Sequence, residues 1–224
     1  MPINYSLSKA TIEANGPKKP FLLAGFRIHA LWLLWASITL AGFVLSVDHQ
    51  SRPAREGTTP EKWPHSVALK PPGDHASLLM FVHPRCSCAR ASLVELKSLI
   101  EQFPGVVDVQ ILFFASQKLA QTQGQGELWH LANRMQGITI ACDEDGAITR
   151  QFGAHTSGSV VLYDRAGQLR FAGGITAARG HIGSNAGSTA VASFLAGQTP
   201  RNRIHSVYGC PIITDLNGGE APIQ

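Results

Sequence analysis

From Ile28 to Val47 the chain reads IHALWLLWASITLAGFVLSV, twenty residues without a charge and with only His29, Ser37, Thr39 and Ser46 as polar interruptions. At about 1.5 Å of rise per helical residue the run spans about 30 Å, the thickness of a bilayer's hydrocarbon. It therefore predicts one transmembrane helix, because a core helix seldom sustains so long an apolar run. A cleaved signal peptide is the nearest competitor, but its apolar region is usually about 7–15 residues and ends in a small-x-small site. Here the exit reads LSVDHQSR and a long basic preface precedes the run, so a retained anchor is expected. Trp32 and Trp35 lie toward its N-terminal half, where an interface would favour them.

The distribution of charge gives the anchor its direction. The whole chain of 224 residues has 19 Lys+Arg against 15 Asp+Glu, a net charge of +4 and a pI near 9.0. Lys9, Lys18, Lys19 and Arg27 precede the apolar run against Glu13 alone, which leaves the remainder nearly neutral. The positive-inside tendency then keeps the N-terminus in the cytoplasm and places the C-terminal part in the periplasm or extracytoplasmic space. A basic excess confined to that preface is not a nucleic-acid surface. A hydrophobic fraction of 44% with 15% charged residues also excludes a disordered chain.

The chain divides into a cytoplasmic segment (1–27), the membrane helix (28–47), a tether (48–76), a folded domain (77–197) and a tail (198–224) that carries Cys210. Pro53, Pro60, Pro64, Pro71 and Pro72 make the tether extended and semi-rigid, with a short edge strand expected around His65–Leu69. Within the domain, strands are predicted at Ser77–His83, Val106–Ala115, Ile138–Cys142, Ser159–Tyr163 and Gln168–Ala172. Helices are predicted over Cys86–Phe103, Glu127–Met135, a short stretch before Phe152, and Ser188–Ala196. A Gln/Gly-rich loop occupies Gln117–Gly126, and Asp164-Arg165-Ala166-Gly167 is a hairpin signal. The order βαβαβ(α)ββα describes an α/β sheet flanked by helices.

All four cysteines (Cys86, Cys88, Cys142 and Cys210) follow the membrane segment, in a compartment where disulfides persist. Cys86-Ser87-Cys88 ends the first strand and opens the first long helix. Unpaired N–H groups and the helix dipole favour a thiolate there, with His83, Arg85 and Arg90 adding positive charge. Two cysteines one residue apart can close a small, readily reduced ring or can hold one soft metal ion. Cys142, at the end of a strand beside an acidic turn, reads as a packing cysteine. Cys210, in Tyr208-Gly209-Cys210-Pro211, either folds back as a third thiol or staples the tail.

The strand–cysteine motif–helix unit, the extra βα unit before the last three strands, and ACDEDGAITRQFGAHTSGSVVLYDRAGQLRFAGG together resemble the thioredoxin superfamily. The likeness covers residues 66–197 and is strongest to the membrane-anchored TlpA/ResA-like branch. It implies a thioredoxin-like fold and thiol–disulfide exchange with a protein partner, and it calls for no cofactor. The site departs from the family's W-C-x-x-C, which here is P-R-C-S-C. Either Cys88 stands at the second cysteine with Arg85 at the first, or Cys86 stands at the first with Ala89 at the second. The family's cis-proline position falls on Gly158. That proline shields the sulfur from metals, so glycine there favours metal binding.

The Gly-rich stretch Phe171–Gly187 carries Arg179 and His181 just before the last helix but lacks Walker and dinucleotide patterns. His181 would lie within reach of the cysteines if the last hairpin packs beside them. The remaining histidines match no zinc-protease or covalent-haem spacing, and no G-x-S-x-G is present. The first functional expectation is a thiol–disulfide oxidoreductase, with Cys86 attacking, Cys88 resolving, and Arg90 and His83 assisting electrostatically. The second is a copper- or zinc-binding or metallocentre-assembly protein using Cys86 and Cys88, with Cys210 or His181 completing the shell. A thiol peroxidase, which needs one reactive cysteine, is a weaker third.

Overall fold

The computed structural model describes residues 21–54, 57–116 and 126–213, without the side chains of 21–27. Most of the N-terminal segment, nearly all of the Gln/Gly-rich loop, and the tail beyond Ile213 lie outside the described residues. Helix α1 (Phe21–Ser51) contains the apolar run. Within Ile28–Ser51 the most apolar 18-residue window has a mean hydropathy of 2.0 and no buried residue, so the helix is long and apolar enough to cross a membrane. Ser37 and Thr39 donate their hydroxyls to the carbonyls of Leu33 (2.8 Å) and Trp35 (2.9 Å). Their polarity is thereby satisfied within the helix, as a hydrocarbon surrounding would require.

Residues 47–224 form a separate unit around a five-stranded sheet. Strand β1 (Ala76–Val82) lies at its centre and is buried along its whole length, as its continuous apolar sequence predicts. Helix α2 (Ala89–Gln102) crosses over to β2 (Val107–Ala115), which runs parallel to β1. Helix α3 (Glu127–Asn133) leads to β3 (Ile138–Glu144), the parallel edge strand, followed by the short α4 (Ala147–Gln151). On the other side of β1, β4 (Ser159–Tyr163) and β5 (Leu169–Gly174) form an antiparallel hairpin, and α5 (Ala186–Leu195) closes the fold. The spatial order is β3-β2-β1-β4-β5.

The period of two along β1 divides its side chains between two cores. Leu78, Met80 and Val82 face a layer that includes Leu93, Leu96 and Leu99 of α2 and Val191 of α5. The α2 residues recur at three-residue steps, so a single stripe of that helix is buried. Leu79 and Phe81 face the opposite layer with Phe152, Tyr163 and Trp63.

Within the stretch read as a tether (48–76), Trp63 is buried in the core of the domain. Its ring lies edge-on to Phe152 and Tyr163, with centroids at 5.3 and 5.4 Å, and its backbone N–H donates to the Gly167 carbonyl at 2.8 Å. Tyr163 donates its hydroxyl to the Pro60 carbonyl. The edge pairing expected at His65–Leu69 falls instead at Lys62, opposite Gln168, and His65–Leu69 forms turns. The sheet's apolar face needs a lid, and the tryptophan supplies one where the prolines direct the chain across it.

The tail also packs onto the domain. Ala172 donates to the Arg203 carbonyl, and His205 donates back to Ala172. A Cβ at Gly173 would lie 2.2 Å from the His205 carbonyl oxygen, so this close approach requires glycine. Cys142 is exposed rather than packed, because β3 is the sheet edge and presents that side to solvent. It pairs in register with Phe113 of β2.

Candidate functional site

The central strand delivers the cysteine motif. After Val82 the chain turns, with Cys86 donating its N–H to the His83 carbonyl (3.0 Å) and Arg85 donating to His83 Nδ1 (3.2 Å). The helix begins at Ala89 rather than Cys86, and Cys88 is its N-cap residue, with no side-chain capping bond. Both sulfurs therefore precede the first helical turn, where the dipole and the unpaired N–H groups favour an anion. Cys86 is 1% exposed; Cys88 is half-buried.

The tail brings the third sulfur. Ser157 donates its N–H to the Cys210 carbonyl (2.8 Å), Ile212 donates to the His155 carbonyl (2.9 Å), and Thr156 pairs antiparallel with Pro211. This strap lays half-buried Cys210 against the cysteine motif, and its N–H donates to Cys86 Sγ at 3.4 Å. The sulfurs of Cys86, Cys88 and Cys210 all lie within 4.8 Å of one another. Gly209 is needed for the fit, since a Cβ there would lie 1.9 Å from the Ser157 carbonyl oxygen. Arg179 Nη1 donates to the Gly209 carbonyl, and Arg179 Nε is buried without a hydrogen-bond partner.

This arrangement sets the charge on sulfur. Cys86 is lowered to about 5, first by the hydrogen bond from the Cys210 thiol; the Cys210 N–H, the Ser157 hydroxyl and the Ala89 N–H add to it against the opposing effect of burial. Cys210 is pushed far above the ordinary thiol range, because its proton is held by Cys86 and burial disfavours a second anion. One sulfur is thus a thiolate and its neighbour the donor that stabilises it. Ser157 also accepts the His83 N–H at 2.8 Å, which ties the hydroxyl in place.

The two side chains read from the sequence as electrostatic helpers are engaged with other partners. Arg90 is exposed and pairs with Glu127, and neither it nor His83 contributes to lowering Cys86. The His83 ring stacks on Phe114 with centroids 5.8 Å apart; its pKa is lowered by burial and then by Arg85, which leaves the ring neutral at pH 7. His181 is exposed and does not join the three-sulfur cluster. Gly158 has φ +91° and donates its N–H to the Phe81 carbonyl at 2.8 Å, and a Cβ there would lie 2.8 Å from Ser92 Oγ. The backbone at the proline position is therefore one that proline cannot adopt.

Sequence reasoning missed Ser157 and Arg179 as working parts of the site. Ser157 sits in the segment already noted for Gly158, and Arg179 is the one cation of the Gly-rich stretch. What remained hidden was that both residues meet the tail.

No protein-family model matches the sequence, and no curated protein matches it significantly. Among solved structures, the chain is similar to an uncharacterized conserved protein from Geobacillus kaustophilus, with TM-score 0.54 and 16% identity over 75% of this chain and 92% of that one. A hypothetical protein from Sinorhizobium meliloti 1021 aligns with TM-score 0.51 and 19% identity over 73% of this chain and 96% of that one. A secreted disulfide oxidoreductase from Mycobacterium tuberculosis is a looser match, with TM-score 0.38 and 16% identity over 56% of this chain and 83% of that one. Three parallel strands, an antiparallel hairpin on the far side of β1, and helices on the sheet make the fold thioredoxin-like.

Proposed function

We propose that the chain is a membrane-anchored, extracytoplasmic thiol–disulfide oxidoreductase in which Cys86 is the attacking thiolate. The observation that carries this reading is the contact between Cys86 and Cys210, which lowers one sulfur to about 5 and leaves a protonated thiol beside it. A low-pKa thiolate next to a second thiol is the arrangement that disulfide exchange needs. Catalysis is intrinsic to the chain's own sulfurs and needs no cofactor. The apolar N-terminal helix and its basic preface support anchoring with the domain outside the cytoplasm.

In the reductive direction the Cys86 thiolate attacks a partner's disulfide. A mixed disulfide forms, and the partner's first sulfur leaves as a thiolate that takes a proton. A second thiol of the cluster then loses its proton, attacks Cys86 Sγ and expels the partner's other sulfur. The partner gains two electrons and the cluster becomes a disulfide. Cys210 is favoured as the resolving sulfur, because it already touches Cys86. Cys88 is the alternative within the same cluster. Cys86 is buried beneath the strap, so a partner must lift the segment bearing Cys210 before exchange begins.

The test is turnover of a disulfide-linked protein substrate by the full chain in detergent, with glutathione as electron donor. Wild type and Cys142→Ser should turn over equally, and Cys86→Ser should be inactive. Equal activity in Cys86→Ser would refute the assignment.

A further inference from the structure

We propose that the reduced sulfurs of Cys86, Cys88 and Cys210 form a three-coordinate site for a soft monovalent cation, Cu(I). The reading uses the same three sulfurs as disulfide exchange but goes beyond that activity and does not depend on it. Three thiolates around an ion at about 2.3 Å from each sulfur stand about 4 Å apart in a trigonal plane. The three sulfurs already lie within 4.8 Å of one another, so shifts of less than about 1 Å close the cluster on an ion.

Ligand type and number select the metal. An all-thiolate set is soft and suits Cu(I) or zinc. Structural zinc is almost always four-coordinate, and among the described residues no fourth histidine, cysteine or carboxylate joins the cluster. His181, the residue the sequence offered as a fourth ligand, is exposed and outside it. A trigonal site is complete with the sulfurs present.

The cluster is also held in place from two sides. Cys86 and Cys88 sit on the turn between β1 and α2, and Cys210 is fixed by the Ser157 N–H and by Arg179 on the adjoining carbonyl. The Cys210 N–H donates to Cys86 Sγ, a bond that a metal-bound thiolate retains. Three thiolates and one Cu(I) carry a net double negative charge, and the Arg179 guanidinium beside Cys210 offsets part of it. Binding releases the cluster's thiol protons and changes no oxidation state. A Cys86–Cys210 disulfide would remove two of the ligands, so the ion binds the reduced chain alone.

The experiment uses the full chain in detergent, reduced and kept anaerobic, and titrated with Cu(I) in the presence of a competing Cu(I) chelator. Cys142→Ser serves as background, so that the exposed thiol of that residue contributes nothing. The expected result is one copper retained per chain, with X-ray absorption showing three sulfur neighbours. Retention should be lost in Cys210→Ser and in the oxidised chain, and unchanged in His181→Ala. Two sulfur neighbours in the wild type, or copper retention by Cys210→Ser equal to wild type, would overturn the proposal. So would tight zinc binding with no Cu(I) uptake.

Discussion

Replacing Cys210 with alanine removes the first cause of the low Cys86 pKa and leaves the strap's backbone bond to Cys86 Sγ available. In the intact site the Cys86 thiol titrates at about 5, so it is almost wholly ionised at pH 7. Without the Cys210 proton, burial pulls it back to the ordinary thiol range or higher. With a pKa of about 8.5 only about 3% of the thiol is ionised at pH 7, a loss of about 30-fold in thiolate. Ultraviolet absorbance of the thiolate measures this directly and requires no reagent to reach a buried sulfur. The comparison is Cys210→Ala against its parent in a Cys88→Ser/Cys142→Ser background, where the low-pH titration step belongs to Cys86.

Stability should follow the same proton. Cys86 is depressed in the folded chain, so between about pH 5 and the ordinary thiol range the unfolded chain binds more protons and stability rises with pH. That gain is lost as pH falls through about 5, and Cys210→Ala should flatten the slope. A titration midpoint that stays near 5 in Cys210→Ala would refute the reasoning, because another group would then be holding the thiolate.

Three further substitutions probe the frame around the sulfurs. Gly158→Pro removes the N–H bonded to the Phe81 carbonyl and demands a negative φ where the backbone has +91°; it should cost about 3 kcal/mol or more, read as a lowered midpoint in denaturant. Trp63→Ala empties the lid over Phe152 and Tyr163 and should cost about 3–5 kcal/mol by the same assay; a loss under about 1 kcal/mol would refute its place in the core. Arg179→Gln weakens a charge-assisted bond to the Gly209 carbonyl worth about 1.5–3 kcal/mol. Hydrogen exchange at the Ser157 and Ile212 amides should quicken by about 10- to 100-fold, while the β1 amides keep their protection.

The central architecture was legible because its patterns are local. The continuous apolar run of β1 and the three-residue steps of Leu93, Leu96 and Leu99 in α2 carry their burial in their spacing. The Asp164–Gly167 turn likewise announces the hairpin of β4 and β5. Cys86 was legible for the same reason, since a strand-to-helix junction favours a thiolate wherever it occurs. The misplaced details are those decided by distant partners. Nothing near Trp63 in the sequence names Tyr163, a hundred residues away, as its seat. From sequence the helix N-terminus lowers Cys86 and nearby cations add to it, yet Arg90 is taken by Glu127 and the first cause is the Cys210 thiol, 124 residues beyond Cys86. Residue type alone makes Cys142 read as a packing cysteine, and only the sheet order shows that its strand is an edge.

The measurement that tests the central claim most directly is disulfide mapping of the full chain across a series of redox buffers. Free thiols are blocked at each poise and the linked peptides identified by mass spectrometry. The account predicts a single reversible two-electron transition that joins Cys86 to Cys210, with Cys142 reduced throughout. A Cys86–Cys88 link in its place would keep the oxidoreductase and displace Cys210 as the resolving sulfur. Cys86 remaining unpaired from the most reducing to the most oxidising poise would contradict the account outright.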